Sequence, residues 1–378
     1  MLIHRITNSP RDYAWGVPGG ISAALGWPAT SAVEAELWFG THPGSPSLFA
    51  EPTLWPDLLG WEEASGVQLP FLLKILAAAE PLSLQAHPAS AQAAAGFARE
   101  NAHGIPLDAP HRNYKDPFSK PELIVALADG FEALCGFRPV AESLGLVDLL
   151  FARCDPDAAG PLARLHELLA APDGLFHAVA WLLAHGPDVD VLVEEVSRQA
   201  LAFDDLEVAR RLGARYPGDP GIAVALLLNH VTLTAGECLW LPAGNVHAYL
   251  RGIGVELMGP SDNVLRGGLT PKHVDRAELL QVLDFTGATA PLLAPETLDG
   301  KAVAYRPEAA DFQLVLAHGD AAVETGSASI VVVLDGEFVI ASGDREVTLS
   351  RGESALITEP GRVELRGSGR IVLAAARS

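Results

Sequence analysis

Hydrophobic and polar positions along the chain predict a mainly β protein with an α-helical insert. In the first 137 residues, short apolar runs such as PFLLKILAA alternate with Gly and Pro turns, which is typical of strands. From about residue 140 to residue 215, apolar residues recur at three- and four-residue spacing between Asp, Pro and Gly breaks. This spacing indicates four or five helices. Strand patterns return at GIAVALLLNH and again from Ser329 onward.

The patterns predict two jelly-roll barrels and a helical domain. Residues 1–137 and 222–286 would form a discontinuous metal-binding domain, residues 138–221 the helical insert, and residues 287–378 a second barrel. A short internal echo favours two barrels, because GECLWLPAGNVH is similar to GESALITEPGRVE. The first copy ends in His247 and the second in Glu364, so the second barrel is predicted to lack metal ligands.

Composition and charge narrow the classes of function. The chain has 378 residues, a net charge of -21 and only 26 Lys and Arg, so a basic nucleic-acid surface is not expected. Its three cysteines form no CxxC pair, which argues against a disulfide framework or a thiolate zinc site. No apolar run approaches the ~20 residues of a membrane helix, and the N-terminal residues lack a signal-peptide core. We expect a cytoplasmic protein, a monomer or small homo-oligomer, that acts on a small molecule without nucleic-acid or membrane partners.

Four residues form a candidate metal site. The run PAGNVH has the P-x-G-x-x-H pattern of a cupin metal histidine and places His247 after a tight turn. In SLQAHP, Gln85 and His87 stand two apart, so on a strand they face the same side. Glu122 opens the apolar run ELIVAL, where a buried carboxylate needs a cation. Two imidazoles, one carboxylate and one amide oxygen suit zinc, with iron or manganese as competitors.

A second polar group could carry catalysis. The stretch VELMGPSDNVLRGGLTPKHVD places Glu256, Asp262, Arg266 and Lys272 among Gly and Pro. Taken alone, this stretch could equally be a solvated loop before a helix capped by Thr270. Lys120 lies two residues before Glu122 and would face the same side of a strand. Cations beside a divalent metal suit an anionic or oxygen-rich substrate.

Several blocks of the chain, in order, resemble type I mannose-6-phosphate isomerases: YAWG, AELWFGTHPGSPS, LKILAAAEPLSLQAHP, NYKDPFSKPELIVAL, FEALCGFRP and LPAGNVHAYLRGIGVELMGPSDNVLRGGLTPKHVD. Together they extend over nearly the whole chain. The resemblance implies two cupin-like domains with a helical insert. It also implies a zinc enzyme that interconverts mannose 6-phosphate and fructose 6-phosphate by proton transfer between C1 and C2 through a cis-enediol.

The resemblance also assigns roles to particular residues. It implies zinc ligands at Gln85, His87, Glu122 and His247, and catalytic residues at Arg266, Lys120, Glu256 and Asp262. One departure concerns the position before Lys-Pro-Glu, where many members have Asn-His and this chain has Phe118-Ser119. A histidine at that position therefore cannot be essential here. We expect a carboxylate, Glu256 or Asp262, to act as the base, and the sequence does not decide between them.

Two other functions are compatible with the metal site alone. An iron cupin oxygenase would use two histidines and a carboxylate, and it would show iron and oxygen uptake. A non-catalytic sugar-phosphate-binding cupin would bind mannose 6-phosphate without turnover. Gln85 and the Lys120 and Arg266 cations count against the oxygenase. The presence of Arg266 and all four candidate ligands counts against the binding protein.

Overall fold

A computed structural model describes residues 3–298 and 301–377 and confirms a mainly β protein with helices. Within these residues, the strands form a ten-stranded sheet, a nine-stranded sheet and a two-stranded pair. The strands are β1 (Ile3–Thr7), β2 (Val17–Pro18), β3 (Val33–Glu34), β4 (Glu36–Phe39), β5 (Leu48–Phe49), β6 (Leu72–Ala78), β7 (Leu84–Ala86), β8 (Glu122–Ala126), β9 (Phe131–Phe137), β10 (Leu228–Leu233), β11 (Cys238–Leu241), β12 (His247–Met258), β13 (Leu265–Gly268), β14 (Glu296–Thr297), β15 (Ala302–Tyr305), β16 (Phe312–Ala317), β17 (Ala321–Thr325), β18 (Ser329–Ser342), β19 (Arg345–Ser350), β20 (Ser354–Ile357) and β21 (Gly361–Ala376).

Most helical residues lie between the two halves of the nine-stranded sheet in sequence. The helices are α1 (Gly20–Leu25), α2 (Leu58–Ser65), α3 (Ser90–Ala102), α4 (Val140–Phe151), α5 (Ala159–Ala170), α6 (Gly174–Ala184), α7 (Pro187–Ala202), α8 (Glu207–Arg215), α9 (Gly221–Ala225) and α10 (Arg276–Val282). In the described residues, none of them combines the length and the apolarity that a bilayer crossing requires.

Strand β12 organises the nine-stranded sheet. Its first residue, His247, is paired with Gln85 of β7 and with Cys135 of β9. Further along, Glu256 is paired with Lys74 of β6 and with Ile124 of β8. A register shift after Tyr249 marks the point where β12 changes its partners. One strand therefore carries a predicted metal ligand at its start and a predicted catalytic carboxylate near its end.

Alternation along the strands sorts side chains between two faces. In β6, Leu73 and Ile75 belong to an apolar cluster that also contains residues of the ten-stranded sheet, such as Val332. Leu76 belongs instead to a separate cluster on the other face, and Lys74 shares that face because side chains of a strand alternate. The same alternation directs Glu36 of β4, Glu122 of β8 and Glu256 of β12 to this inner face, where they join Lys74 of β6.

Helices α4 to α9 pack against one side of the nine-stranded sheet. Their apolar faces form one cluster with sheet residues such as Leu134 and Ala248. The sequence prediction was wrong for Gly221–Ala225, which form α9 rather than a strand; β10 begins only at Leu228. Pro220 immediately precedes this helix with helical backbone angles, and its carbonyl accepts hydrogen bonds from the backbone N–H groups of Ala223 and Val224. The fixed φ of proline suits such a helix start. The predicted domain boundaries remain predictions.

The predicted Thr270 cap was also wrong. Helix α10 begins at Arg276, where the Asp275 carboxylate accepts a hydrogen bond of 3.1 Å from the Glu278 backbone N–H. The Thr270 hydroxyl instead accepts a bond of 3.1 Å from the backbone N–H of Lys272. This local turn ends before the helix and leaves Thr270 and Lys272 at the edge of a cavity.

The ten-stranded sheet is built around β18 and β21, which pair from Ser329 with Ala375 to Ser342 with Val363. Strand β1 adds to this sheet from the far end of the chain, where Ile3 pairs with Ile357 of β20. Apolar side chains, among them Val315, fill the inner face of the sheet.

Candidate active site

The first imidazole is fixed just beyond the end of β7. The strand spans Leu84–Ala86, so Gln85 lies in it and His87 follows it. His87 is 1% exposed, and its Nδ1–H donates a hydrogen bond of 2.7 Å to the backbone oxygen of Asn263. This bond directs Nε2 toward Glu122, whose Oε1 lies 3.3 Å away.

The second imidazole is set by the turn before β12. Gly244 has φ +80°, a conformation that favours glycine, and its N–H donates a bond of 2.8 Å to the carbonyl of His87. His247 opens β12, and its Nδ1–H donates to the Asn245 oxygen at 3.0 Å. Its Nε2 therefore faces Glu122, with 3.2 Å to Oε2. The Gln85 amide reaches the same place, 3.2 Å from His247 Nε2.

These residues meet the requirements of a metal site. Ligand atoms of His87, Glu122 and His247 all lie within 4.8 Å of one another, and all three residues are buried. Among the described residues, His87 Nε2 and Glu122 Oε2 have no hydrogen-bond partner despite their burial. Buried polar atoms are rarely left unpaired, so a cation between them would satisfy both.

Ionisation of the group favours metal binding. Burial lowers the pKa of His87 to about 4, so this imidazole is neutral and keeps a free Nε2 lone pair near neutral pH. Burial alone would raise the pKa of Glu122, but Lys120 and the two imidazoles together hold it well below its usual value. The Lys120 ammonium lies 2.9 Å from Glu122 Oε1. The site therefore offers one carboxylate and at least one neutral imidazole, as zinc prefers.

A cavity of ≈ 320 Å³ lies beside this group. Six of the eight predicted site residues line it: Gln85, Lys120, Glu122, Glu256, Asp262 and Arg266. His87 and His247 lie next to it, in contact with Glu122. The structure thus brings all eight predicted residues together, while their individual roles remain predictions.

Two cations of the cavity have no carboxylate partner. Arg266 lies in β13 opposite Gln85, and Lys272 follows it on the next turn. Neither forms an ion pair within the described part of the chain, and burial lowers the pKa of both side chains. The positive charge of Arg266 and of nearby Lys115 also lowers the pKa of Lys272. An anion entering the cavity would relieve this repulsion.

Comparisons with known proteins identify the family. The mannose-6-phosphate isomerase of Escherichia coli (strain K12) is 33% identical over 393 residues, which cover 98% of each chain. The chain belongs to the type I phosphomannose isomerase family. Residues 3–140 match the family description "Phosphomannose isomerase type I, catalytic domain", and residues 310–375 match "Mannose-6-phosphate isomerase, cupin domain". The resemblance inferred from the sequence is thereby confirmed, and the chain is an enzyme of this family.

Solved structures of phosphomannose isomerases have the same fold. A mutant phosphomannose isomerase from Salmonella typhimurium superimposes with a TM-score of 0.90 at 32% identity, with 100% of each chain covered. A mannose 6-phosphate isomerase described as holo and zinc bound gives a TM-score of 0.89 at 32% identity, again over 100% of each chain. A zinc-bound neighbour with this fold agrees with the buried His87, Glu122 and His247 of this phosphomannose isomerase family member.

Sequence reasoning missed a buried ionic network in the cavity of this isomerase. Lys74 Nζ lies 3.1 Å from Glu256 Oε2 and 3.6 Å from Glu36 Oε1. Trp38 Nε1 donates to Glu36 Oε2 at 2.8 Å, and its ring lies under the Lys74 ammonium. Burial alone would lower the pKa of Lys74, but the carboxylates raise it above its usual value. The available signal was a lysine in the middle of the apolar strand LLKILAA.

The pKa of Glu256 is raised, whereas pairing with a cation ordinarily lowers the pKa of a carboxylate. Burial raises its pKa, the Lys74 ammonium opposes this change, and the nearby Glu122 and Glu36 carboxylates add to it. Asp262 differs, because a hydrogen bond from His42 is the main cause that lowers its pKa. The two candidate bases therefore have contrasting environments at the same cavity.

Proposed function

We propose that this chain interconverts mannose 6-phosphate and fructose 6-phosphate with one zinc ion per chain. The observation that carries the proposal is the buried His87, Glu122 and His247 group, which lies beside a cavity with unpaired cations. Relatives named mannose-6-phosphate isomerase support the reaction, and zinc-bound neighbours support the choice of metal.

Gln85, His87, Glu122 and His247 would hold the zinc ion, with Gln85 contributing its amide oxygen. When bound, zinc would supply a Lewis acid for the sugar oxygens. Lys120 would keep the Glu122 carboxylate ionised and add positive charge at this end of the cavity.

Arg266 and Lys272 are the side chains best suited to the phosphate group. Both line the cavity, and neither has a carboxylate partner among the described residues. Arginine can bind phosphate with two parallel hydrogen bonds, whereas lysine adds a point charge. The chain carries a net charge of -21, so these local cations must attract the substrate against the overall field.

A carboxylate, Glu256 or Asp262, would carry the proton between the two carbons. It removes the C2 proton of the open-chain aldose while the oxygen at C1 gains a proton, which gives a cis-enediol. It then returns its proton to C1 while the oxygen at C2 loses one, which gives the ketose. A pKa nearer the working pH favours this role, and burial shifts the pKa of Glu256 upward, in that direction.

We also infer two cupin-type jelly-roll barrels with a helical insert between parts of the first. Support comes from the change of partners along β12 and from the corresponding strand–turn–strand units β11–β12 and β20–β21. The proposed domains remain residues 1–137 with 222–286, residues 138–221, and residues 287–378. We further propose a cytoplasmic monomer or small homo-oligomer, as for a metabolic enzyme.

The test is conversion of mannose 6-phosphate to fructose 6-phosphate by purified protein, before and after chelation and after zinc is added back. We expect turnover that the chelator removes and zinc restores. Metal analysis and an oxygen electrode run in parallel, because iron with oxygen uptake would instead indicate an oxygenase. Tight binding of mannose 6-phosphate by the metal-loaded protein without turnover would contradict the isomerase assignment.

A further inference from the structure

A histidine outside the predicted catalytic set contacts one of the candidate carboxylates. His42 lies in the loop after β4, and its Nε2 is 3.2 Å from Asp262 Oδ2. The edge of the Trp38 ring system packs against the imidazole, with ring centroids 4.9 Å apart and planes at 84°. Both members of the His42–Asp262 pair line the cavity.

The loop fixes which nitrogen of His42 carries the proton. The backbone N–H of Gly44 donates a hydrogen bond of 3.0 Å to His42 Nδ1. Nδ1 is therefore an acceptor, and the ring proton is on Nε2, which donates to Asp262. Space around the ring is tight, because a Cβ added at Gly44 would lie 3.1 Å from His42 Nδ1.

Asp262 is held on two sides and open on a third. Its backbone N–H donates to Asp116 Oδ2 at 2.8 Å, which fixes the loop, and His42 holds Oδ2 of the side chain. Within residues 3–298 and 301–377, no hydrogen bond reaches Oδ1. The side chain is 49% exposed at the cavity. One carboxylate oxygen is therefore tied down, and the other is available to a bound molecule.

We propose that His42 is a positioning residue for the isomerisation, which holds the Asp262 carboxylate so that Oδ1 meets the sugar. This role rests on the proposed function and takes Asp262 rather than Glu256 as the base, because the free Oδ1 of Asp262 faces the cavity. Oδ1 takes a proton from the sugar and later returns it, while the His42 imidazole keeps its hydrogen bond to Oδ2. The Trp38 ring and the Gly44 N–H limit the motion of the imidazole during both transfers.

The test uses the zinc-loaded full chain and compares variants of both partners. His42→Phe keeps an aromatic ring but removes the donor, and His42→Gln restores a donor near the Nε2 position. We expect His42→Phe to lower kcat by about 10- to 100-fold with a smaller change in KM, as for a misplaced catalytic group. His42→Gln should recover most of this loss. His230→Gln, a change at a histidine of β10, should leave kcat and KM unchanged.

A double variant tests whether His42 acts through Asp262 or independently of it. If His42 acts through Asp262, His42→Phe should change kcat less than ~2-fold when it is added to Asp262→Asn. Losses that multiply in the double variant would overturn the proposal, and so would full activity of His42→Phe. Should His42→Phe fail to fold, Gly44→Ala gives a second route, because its Cβ presses on the ring. Gly44→Ala should lower kcat alone but not in the Asp262→Asn background.

The kinetic results distinguish failure of the proposed role of His42 from failure of the proposed function. A zinc-loaded wild-type chain without turnover would overturn the isomerase assignment, and the role of His42 with it. An active wild type with an insensitive His42→Phe variant would overturn only the role of His42. Equal zinc content and melting temperature across the variants show that the kinetic losses are not losses of structure.

Discussion

At the scale of single residues, the pKa of a buried carboxylate in the site depends on the charges that lie beside it. Glu122 is 1% exposed, yet its pKa stays low because Lys120 and two imidazoles surround it. Glu256 is equally buried, but Lys74 is shared with Glu36, and its pKa is raised. Two carboxylates on neighbouring strands thus have different pKa values, because different numbers of positive charges lie beside them.

Removal of the second imidazole should remove the metal. We expect His247→Ala to abolish both zinc content and isomerase activity, because Glu122 and His87 would lose a partner that completes the group. Zinc per chain by elemental analysis and kcat would be measured together. The matched control is His230→Ala, at a histidine that contacts Glu132 away from the cavity. Full activity of His247→Ala would exclude His247 from the site.

Arg266 should matter for turnover but not for metal binding. We expect Arg266→Ala to retain zinc and to lose about 10²- to 10³-fold in kcat/KM, as after loss of a charged hydrogen-bond donor that binds and orients the substrate phosphate. Arg266→Lys should recover only part of the loss, since lysine cannot form the paired hydrogen bonds. Loss of zinc in Arg266→Ala would make Arg266 a structural support of β7, with which β13 pairs.

At the scale of elements, a buried carboxylate connects the helices to the sheet. Glu132 of β9 accepts hydrogen bonds from Arg211 of α8 and Arg251 of β12, and His230 of β10 lies 3.6 Å away. Burial alone would raise the pKa of Glu132, but the two arginines lower it below the usual 4.5. Three strands and a helix are thus joined at one side chain.

The ion pairs of Glu132 should make the free energy of unfolding depend on pH. Because the pKa of Glu132 is lower in the folded than in the unfolded chain, its ionised form stabilises the fold at pH above about 4.5. That contribution is lost as the pH falls through the lower folded pKa. We expect Glu132→Gln to cost about 1–2 kcal/mol at pH 7, since both arginines are partly exposed. Urea unfolding of both proteins at pH 7 and at successively lower pH checks this.

The cost of Glu132→Gln should shrink as the pH falls from about 4.5 through the lower folded pKa of Glu132, because below that pKa the wild-type carboxylate is protonated in the folded chain as well. A cost that stays constant across the acid range would contradict a charge-based contact and would point to packing instead. Glu207→Gln is the matched control, because Glu207 also contacts Arg211 but is 42% exposed. It should change stability by less than about 0.5 kcal/mol at any pH.

Elements with a local signal were predictable from the sequence, and elements that depend on distant contacts were not. ELIVAL gave β8 with Glu122 at its start, and PAGNVH gave the turn before His247, because each pattern is complete within a few residues. GIAVA was taken for a strand, since a short apolar run does not distinguish a strand from a helix. Lys74 and His42 were missed because their partners come from other strands and loops.

At the scale of the whole molecule, a strand–turn–strand arrangement occurs in β11–β12 and again in β20–β21, with different side chains in each. In the second copy, β20 and β21 replace β11 and β12, and Val363 and Leu365 point into an apolar interior. Glu364 lies between them and faces outward, near Arg362. In residues 301–377, the interior beside β21, the strand that corresponds to β12, is therefore filled by apolar side chains.

Glu364→Ala should leave zinc content, kcat and KM unchanged, because the side chain is exposed and Glu364 is not among the residues that line the cavity. The free energy of unfolding should change by less than about 0.5 kcal/mol, as for other surface ion pairs. Steady-state kinetics and elemental analysis check this. A large fall in kcat would show that the second copy contributes to the reaction. Val363→Ala, at a buried position, serves as the contrasting variant and should lower stability by about 1–3 kcal/mol.

The pairing of β1 with β20 has a consequence for synthesis on the ribosome. The strand made first, Ile3–Thr7, meets its partner Ser354–Ile357 only after almost the entire polypeptide has been translated. Until then the part of β1 that pairs with β20 lacks its partner, although Ile6 and Thr7 can already pair with Phe49 and Leu48 of β5. Contacts of such sequence separation form slowly. A nascent chain stalled before residue 354 should therefore expose its N-terminal segment to proteases, and release of the finished chain should protect it.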